Sequence, residues 1–249
     1  MKNQNKFQYI YERLRIAILE GEYEYGEQLL SEHQLVKKYN VSRETVRKSL
    51  NMLVLDGMIQ KIRGKGSVVI YQGVTEFPFA DLKSFKEVQT QLGLHYETVV
   101  VRFEKIKAAD VPQVKKALEM TTDEELWHFI RYRQIEGITK IVDEDYVRAN
   151  LFPELSEAVV QNSLYDYIEK VKGYEISFSS KSITFEPFGE LERAAFGDVT
   201  PQYSATVRGI VHLKDTTKFQ YNVSKHIATE FKFIDFSRRH SHLIRKFEK

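Results

Sequence analysis

The sequence predicts a mixed α/β chain of two domains, a small helical head closed by a β-hairpin and a larger α+β body built on an antiparallel sheet. Three observations carry this. The chain has 249 residues, enough for one small and one medium core. Apolar residues keep helical spacing through the first third and then alternate as in strands. Between the two regimes, the stretch YQGVTEFPF at 71–79 lapses into Gly73 and Pro78, both breakers. The expected boundaries are a head at 1–71, a linker at 72–78, a body at 79–239 and a flexible tail at 240–249.

In the head, Phe7, Ile10, Leu14, Ala17 and Ile18 fall on one helical face that ends at Gly21. SEHQLVKKYN, 31–40, reads as a second, capped helix followed by a tight turn. Ser42 is placed to cap a third, because its hydroxyl accepts from free N–H groups of a first turn, so that helix starts at Arg43. Val46, Leu50, Leu53 and Val54 then form a core face, while Arg43, Arg47 and Asn51 share another at i, i+4 spacing. MIQKIRGKGSVVI follows as a hairpin whose tip carries Arg63, Gly64, Lys65 and Gly66.

In the body, 84–92 reads as helix, 96–103 as strand, 111–118 as helix with Pro112 in its first turn, and 126–135 as strand. The segment 140–148 pairs back across Glu136-Gly137. Then come helix 163–172, strand 175–186, helix 190–196, and strands 203–213 and 218–228 joined at Lys214-Asp215-Thr216-Thr217. Hairpin links dominate, which favours an antiparallel sheet over a doubly wound parallel one.

Composition narrows the function classes. With 42% apolar and 29% charged residues the chain is an ordinary globular protein, and its lack of cysteine excludes disulfides, thiolate nucleophiles and cysteine-zinc sites. The histidines show no metal spacing beyond His240-Ser-His242. No apolar run approaches the ~20 residues that span a bilayer, and the N-terminus lacks a signal-peptide core, so no membrane partner, no cofactor and a cytoplasmic location are expected. Residues 1–70 carry 12 Lys and Arg against 8 acids, a charge of +4, which leaves −2 for the rest of a chain whose total is +2. Phosphate attraction belongs to the head.

A helix, turn, helix and basic hairpin in that order suit double-stranded DNA. Arginine presents a planar fork that fits guanine edges or phosphate, and a basic narrow tip suits a minor groove or a phosphate. The DNA-contacting residues expected are His33, Ser42, Arg43, Thr45, Arg47, Lys48, Arg63, Gly64 and Lys65. A protein-interaction adaptor is the competing reading of such a head. A nucleotide loop fails on spacing, since Lys65 is followed by Gly66 instead of Ser or Thr. In the body, the period of two puts Arg131 and Arg133 on one strand face. Two forks side by side make a dianion clamp, or else cross-strand ion pairs with Asp143 and Asp145. Ser163 and Tyr165 stand at or near a helix start where N–H groups and a hydroxyl supplement the charge.

The run SEHQLVKKYNVSRETVRKSLNMLVLDGMIQKIRGKGSVV resembles the winged helix of GntR-family bacterial repressors. SFKE at 84–87, IRYR at 130–133, VDEDY at 142–146 and SLYDYI at 163–168 resemble the HutC-type effector domain, known as UTRA, whose fold is similar to chorismate lyase. RETVRK, IQKIRGKGSVV and FIDFSRR are most similar to the trehalose operon repressors of that subfamily. The resemblance covers about residues 7–239. It departs at Leu30 and His33, where many members have Pro and Arg; a neutral imidazole still donates one hydrogen bond. The resemblance implies a homodimeric repressor that binds a palindromic operator and is released by a sugar phosphate, trehalose 6-phosphate. Arg131, Arg133, Ser163 and Tyr165 would hold the phosphate with help from Ser84 and Phe85, while Asp143, Gln220 and His226 would contact the sugar ring. Activation in place of repression stays open. The rival from another class is a sugar-phosphate-processing enzyme of lyase-like fold with an accessory winged helix, since fold does not fix function.

Overall fold

The computed structural model describes residues 6–71, 87 and 96–233, and these fall into two compact units. In the first, helices α1 (Lys6–Leu19), α2 (Glu32–Tyr39) and α3 (Arg43–Leu55) precede a two-stranded hairpin, β1 (Ile59–Ile62) and β2 (Gly66–Val69). The core joins Ile10 and Leu14 of α1, Leu35 of α2, Val46, Leu50 and Leu53 of α3, and Ile59 and Val69 of the hairpin. Ser31 and Gln34 cap α2 reciprocally, and Asn40 ends it in the left-handed conformation, which an Asn side chain tolerates better than most. The turn into α3 is therefore short. Ser42 accepts from the Thr45 N–H at 3.2 Å, and α3 begins at Arg43 as expected.

The hairpin pairs Ile59 with Val69 and Ile62 with Gly66, leaving Arg63, Gly64 and Lys65 at an exposed tip. Residues 26–29 lie along the other side of β2, with Leu29 N–H donating to Ser67 O and Val69 N–H to Glu27 O. This third partner was not anticipated. It explains Gly66, whose φ is +89° and where a Cβ would meet Gln28 Nε2 at 2.8 Å.

The second unit is one antiparallel six-stranded sheet in the order β3-β4-β5-β8-β7-β6. Its strands are β3 (Glu97–Lys107), β4 (Glu125–Ile135), β5 (Ile138–Arg148), β6 (Ile176–Pro187), β7 (Tyr203–Leu213) and β8 (Lys218–Ile227). Glu136 and Gly137 both have positive φ, the geometry of a tight two-residue hairpin turn. Asp215 accepts from the Thr217 N–H in the β7–β8 turn. Helix α4 (Pro112–Leu118) packs on one face with Leu126 and Tyr146. On the other, α5 (Glu157–Asn162) and α6 (Leu164–Asp166) cover Phe129, Val147 and Phe219. Helix α7 (Glu190–Phe196) agrees with expectation.

Two expectations change. Strand β3 runs to Lys107 instead of stopping at Phe103, because a bulge at Val101 between the Val100–Arg131 and Arg102–Ile130 pairs resets the alternation and lets pairing continue. Ahead of the helix expected over 163–172, which runs from α6 into a π-helical turn at Tyr167–Val171, lies a short helix that was not expected, α5; Ser163, in an extended conformation, separates the two. Ser163 serves as the N-cap of α6, accepting from Asp166 N–H at 3.2 Å, which is why the chain restarts there. The helix expected at 84–92, the linker, the FIDFSRR run past Phe233 and the tail lie outside the described residues.

Candidate functional site

In the helical unit, α3 presents Arg43 and Arg47 to solvent, with side chains 69% and 49% exposed. Both converge on one carboxylate of α2. Arg43 Nε donates to Glu32 Oε2 at 2.9 Å and Arg47 Nε to the same oxygen at 3.2 Å. The bond from Arg43, and behind it the one from Arg47, holds Glu32 below the usual carboxylate range. Thr45 is tied to Ser42 at 2.8 Å, so these two hydroxyls serve the cap first. His33, Lys48, Arg63, Gly64 and Lys65 are exposed, and Lys61 reaches Asn51 at 2.8 Å, linking hairpin to α3. Glu32 was not among the expected site residues. Its position on the first turn of α2 gives no periodic signal, because the pairing is between helices.

In the sheet unit, alternate residues of three adjacent strands gather one buried polar cluster. Arg131 opposes Asp143 across the ladder, but each arginine pairs with the carboxylate two residues beyond its ladder partner. Arg131 Nη2 donates to Asp145 at 2.5 Å and Arg133 Nε to Asp143 at 2.9 Å. Arg131 Nη1 also reaches Val160 O in α5 at 3.1 Å, and Arg133 Nη1 reaches Thr98 Oγ1 at 2.7 Å. Asp145, with no exposed surface, accepts from Gln220 and Asn222 at 2.6 and 2.9 Å. Asp143 accepts from Ser224 at 2.7 Å, and Ser224 lies 3.1 Å from His226 Nε2. The expected clamp and the expected cross-strand ion pairs are thus the same residues.

Electrostatics follow from burial. Burial, aided by the neighbouring charge of Arg131, pulls Arg133 down to about 10, so it stays cationic at neutral pH. Burial raises Asp143, but the charges of Arg133 and Arg131 outweigh it and hold the carboxyl below its ordinary value. Burial pulls His226 down to about 4, against the opposing pull of Asp143; the imidazole is neutral. Tyr165 is pushed up by burial and next by the charge of Asp145, which places its phenol near the cluster. Four buried side-chain atoms lack a partner among the described residues, and two of them, Arg131 Nε and Gln220 Oε1, belong to this cluster. A donor and an acceptor left open in a site otherwise satisfied are what a ligand completes.

The structure therefore gathers Arg131, Arg133, Asp143, Gln220 and His226 in one cluster, with Tyr165 beside it. Ser163 is buried in its capping role. Ser84 and Phe85 lie outside the described residues. Thr98, Asp145, Asn222 and Ser224 were missed as site residues. The signal for the last two was present: Gln220, Asn222, Ser224 and His226 follow the same period of two. Among the described residues no group of three His, Asp or Glu side chains is arranged for a metal, and no helix is long and apolar enough to cross a membrane.

Comparison with known proteins accounts for both units. Residues 6–69 match the family of bacterial regulatory proteins, gntR family, and residues 91–232 match the UTRA domain. The chain is 40% identical to the HTH-type transcriptional regulator TreR of Bacillus subtilis, over 94% of this chain and 98% of that one. It is 30% identical to the mannosyl-D-glycerate transport/metabolism system repressor MngR of Escherichia coli over 94% and 97%. Among solved structures, the effector binding domain of the B. subtilis trehalose repressor matches at 34% identity and TM-score 0.52, covering 58% of this chain and 99% of that one. The possible transcriptional regulator YydK of B. subtilis shares the fold over 94% of this chain and 99% of its own, with TM-score 0.77 at 23% identity. A capped helix pair with a basic hairpin, followed by an antiparallel sheet with a buried polar cluster, thus belongs to a transcriptional regulator and not to an enzyme: the chain is a member of the GntR family with a UTRA effector domain.

Proposed function

We propose that this protein represses a trehalose-utilisation operon as a homodimer on a palindromic operator, and leaves the operator when trehalose 6-phosphate occupies the sheet domain. The observation that carries the effector assignment is the buried pair Arg131 and Arg133, side by side, with Arg131 Nε still unpartnered. The identity with TreR over nearly the whole chain supports it. Asp143 and Asp145 hold the guanidinium groups in place before any ligand arrives, which lowers the ordering cost of binding. Because those carboxylates also neutralise the arginines, the ligand is selected by directed donors and not by net charge. Phosphate accepts from Arg131 Nε, and a sugar hydroxyl donates to Gln220 Oε1. Release is linkage, since a ligand preferring one domain arrangement weakens DNA binding by its differential affinity for the two states.

The test is binding of the full chain to the DNA upstream of its own gene, with trehalose 6-phosphate, trehalose or glucose 6-phosphate. Release by the first and not by equal trehalose is expected. Equal potency of trehalose and its phosphate would remove the phosphate clamp. Two further outcomes concern the head. Arg47→Ala leaves an exposed position and should keep the fold while costing about 1–3 kcal/mol of specific affinity; unchanged affinity takes α3 out of recognition. Lys65→Ala should weaken all duplexes alike and flatten the log-log salt dependence by about one unit, whereas a loss confined to one base pair shows that the hairpin tip reads sequence.

A further inference from the structure

We infer that Glu32 is a specificity-determining positioning residue, which holds Arg43 and Arg47 together by their Nε atoms so that both forks meet base edges instead of scattering onto phosphates. The inference rests on the helical unit alone and stands whatever the effector is. Both arginines lie on one exposed face of α3, one turn apart. Two like charges at that spacing repel, and long exposed side chains keep most of their rotamer freedom unless tied. A single carboxylate from α2 ties both, at 2.9 Å and 3.2 Å. It engages the Nε–H of each, and the bidentate contact to a guanine uses two parallel donors of the fork. Fixing Nε therefore fixes the plane of the fork and leaves its two terminal nitrogens to aim outward.

The carboxylate has a second effect. A negative charge beside two arginines on the DNA-facing helix lowers the attraction of arbitrary duplexes, which act through phosphate charge. It lowers the attraction of a cognate site less, because there the arginines recover directed contacts. Specificity is a difference of two affinities, and an element that penalises the wrong partner raises it as much as one that rewards the right one. Ser31 and Gln34 cap α2 independently of Glu32, so the helix does not depend on this carboxylate for its start.

The experiment selects duplexes from a random pool with the full-length wild type, Glu32→Gln and Glu32→Asp, and titrates each protein on the selected and on an unrelated duplex across salt. Glu32→Gln is expected to bind the unrelated duplex several-fold more tightly, with a salt slope steeper by about one unit as the freed arginines neutralise phosphate. Its ratio of selected to unrelated affinity should fall about tenfold or more, with preference relaxing at both arginine-read positions together. Glu32→Asp keeps the charge but is one methylene shorter, so it should lose discrimination without the gain on unrelated DNA, a split that a purely structural role does not produce. An unchanged ratio in Glu32→Gln overturns the inference. So does relaxation at one C·G pair only, which would mean that Glu32 accepts directly from cytosine N4. Melting profiles identify a misfolded variant, and Glu32→Asp then decides by the same ratio.

Discussion

Arg131→Ala is expected to destabilise the sheet domain by about 3–5 kcal/mol, because it leaves the buried Asp145 carboxyl without its cation. An alanine at this position therefore cannot separate sensing from folding. Arg131→Lys does. Its ammonium keeps a charge opposite Asp145 but has no planar fork and no Nε–H at the position now open. This variant should melt close to wild type, bind the operator as wild type does, and need at least roughly tenfold more trehalose 6-phosphate for release, since about 1.4 kcal/mol of lost contact is tenfold. The measurements are denaturation followed by the fluorescence of Trp127, the one tryptophan of the chain, and operator binding against effector concentration. Wild-type release by Arg131→Lys would show that Arg131 serves the fold and not the ligand.

The second large effect is a stability profile with two limbs. His226 is depressed to about 4 against about 6.5 in an unfolded chain. Between those values the unfolded chain binds the proton and the native domain does not. Its contribution is thus fully present above pH 6.5 and lost as pH falls toward 4, by about 3 kcal/mol in all. His128, on the opposite sheet face, behaves in reverse. Burial lowers it, but hydrogen bonds to Glu144 and Glu104, at 2.9 and 3.0 Å, outweigh that and raise it. Its contribution is complete below pH 6.5 and is lost as pH rises through the raised value. Stability of the sheet domain should peak near pH 6.5, with His226→Asn abolishing the acid limb and His128→Asn the alkaline one. Denaturation of the full chain followed at Trp127 across pH reads this directly, and an acid limb that survives in His226→Asn assigns it to the carboxylates.

The comparison of sequence with structure divides along range. Local devices were legible: the Ser31 and Ser42 caps, the glycines of the hairpin, the Glu136-Gly137 turn and the strand alternation that put Arg131 and Arg133 on one face all act within a few residues of themselves. What escaped depends on partners distant in the chain. Arg133 is oriented by Thr98, Asp145 by Gln220 and Asn222, and the α3 arginines by Glu32, each fixed by pairing that no local period encodes. Helix α5 was missed for a different reason. Its six residues, EAVVQN, are too few to show a helical period before Ser163 interrupts the path in an extended conformation. The expectation of a sugar-phosphate ligand, and of the positions that would hold it, came from the family resemblance, since the residues alone left Arg131 and Arg133 open between clamp and ion pair.

Strand β8 places Gln220, Asn222, Ser224 and His226 toward the polar cluster, while Tyr221 packs toward α4 and Lys225 pairs with Glu192 on the reverse side. Under the proposed function, ligand contacts and reverse-face packing are thereby written on alternate letters of one strand. A regulator so built would reach a new inducer by exchanging alternate residues of β8 for others that still donate to Asp143 and Asp145, while the intervening ones keep the packing of the reverse face. Divergence among such proteins would then be a change of reading head on a fixed frame, and the expected trace, which an alignment of relatives with different inducers checks, is variation at positions 220, 222, 224 and 226 set against constancy at 221 and 223.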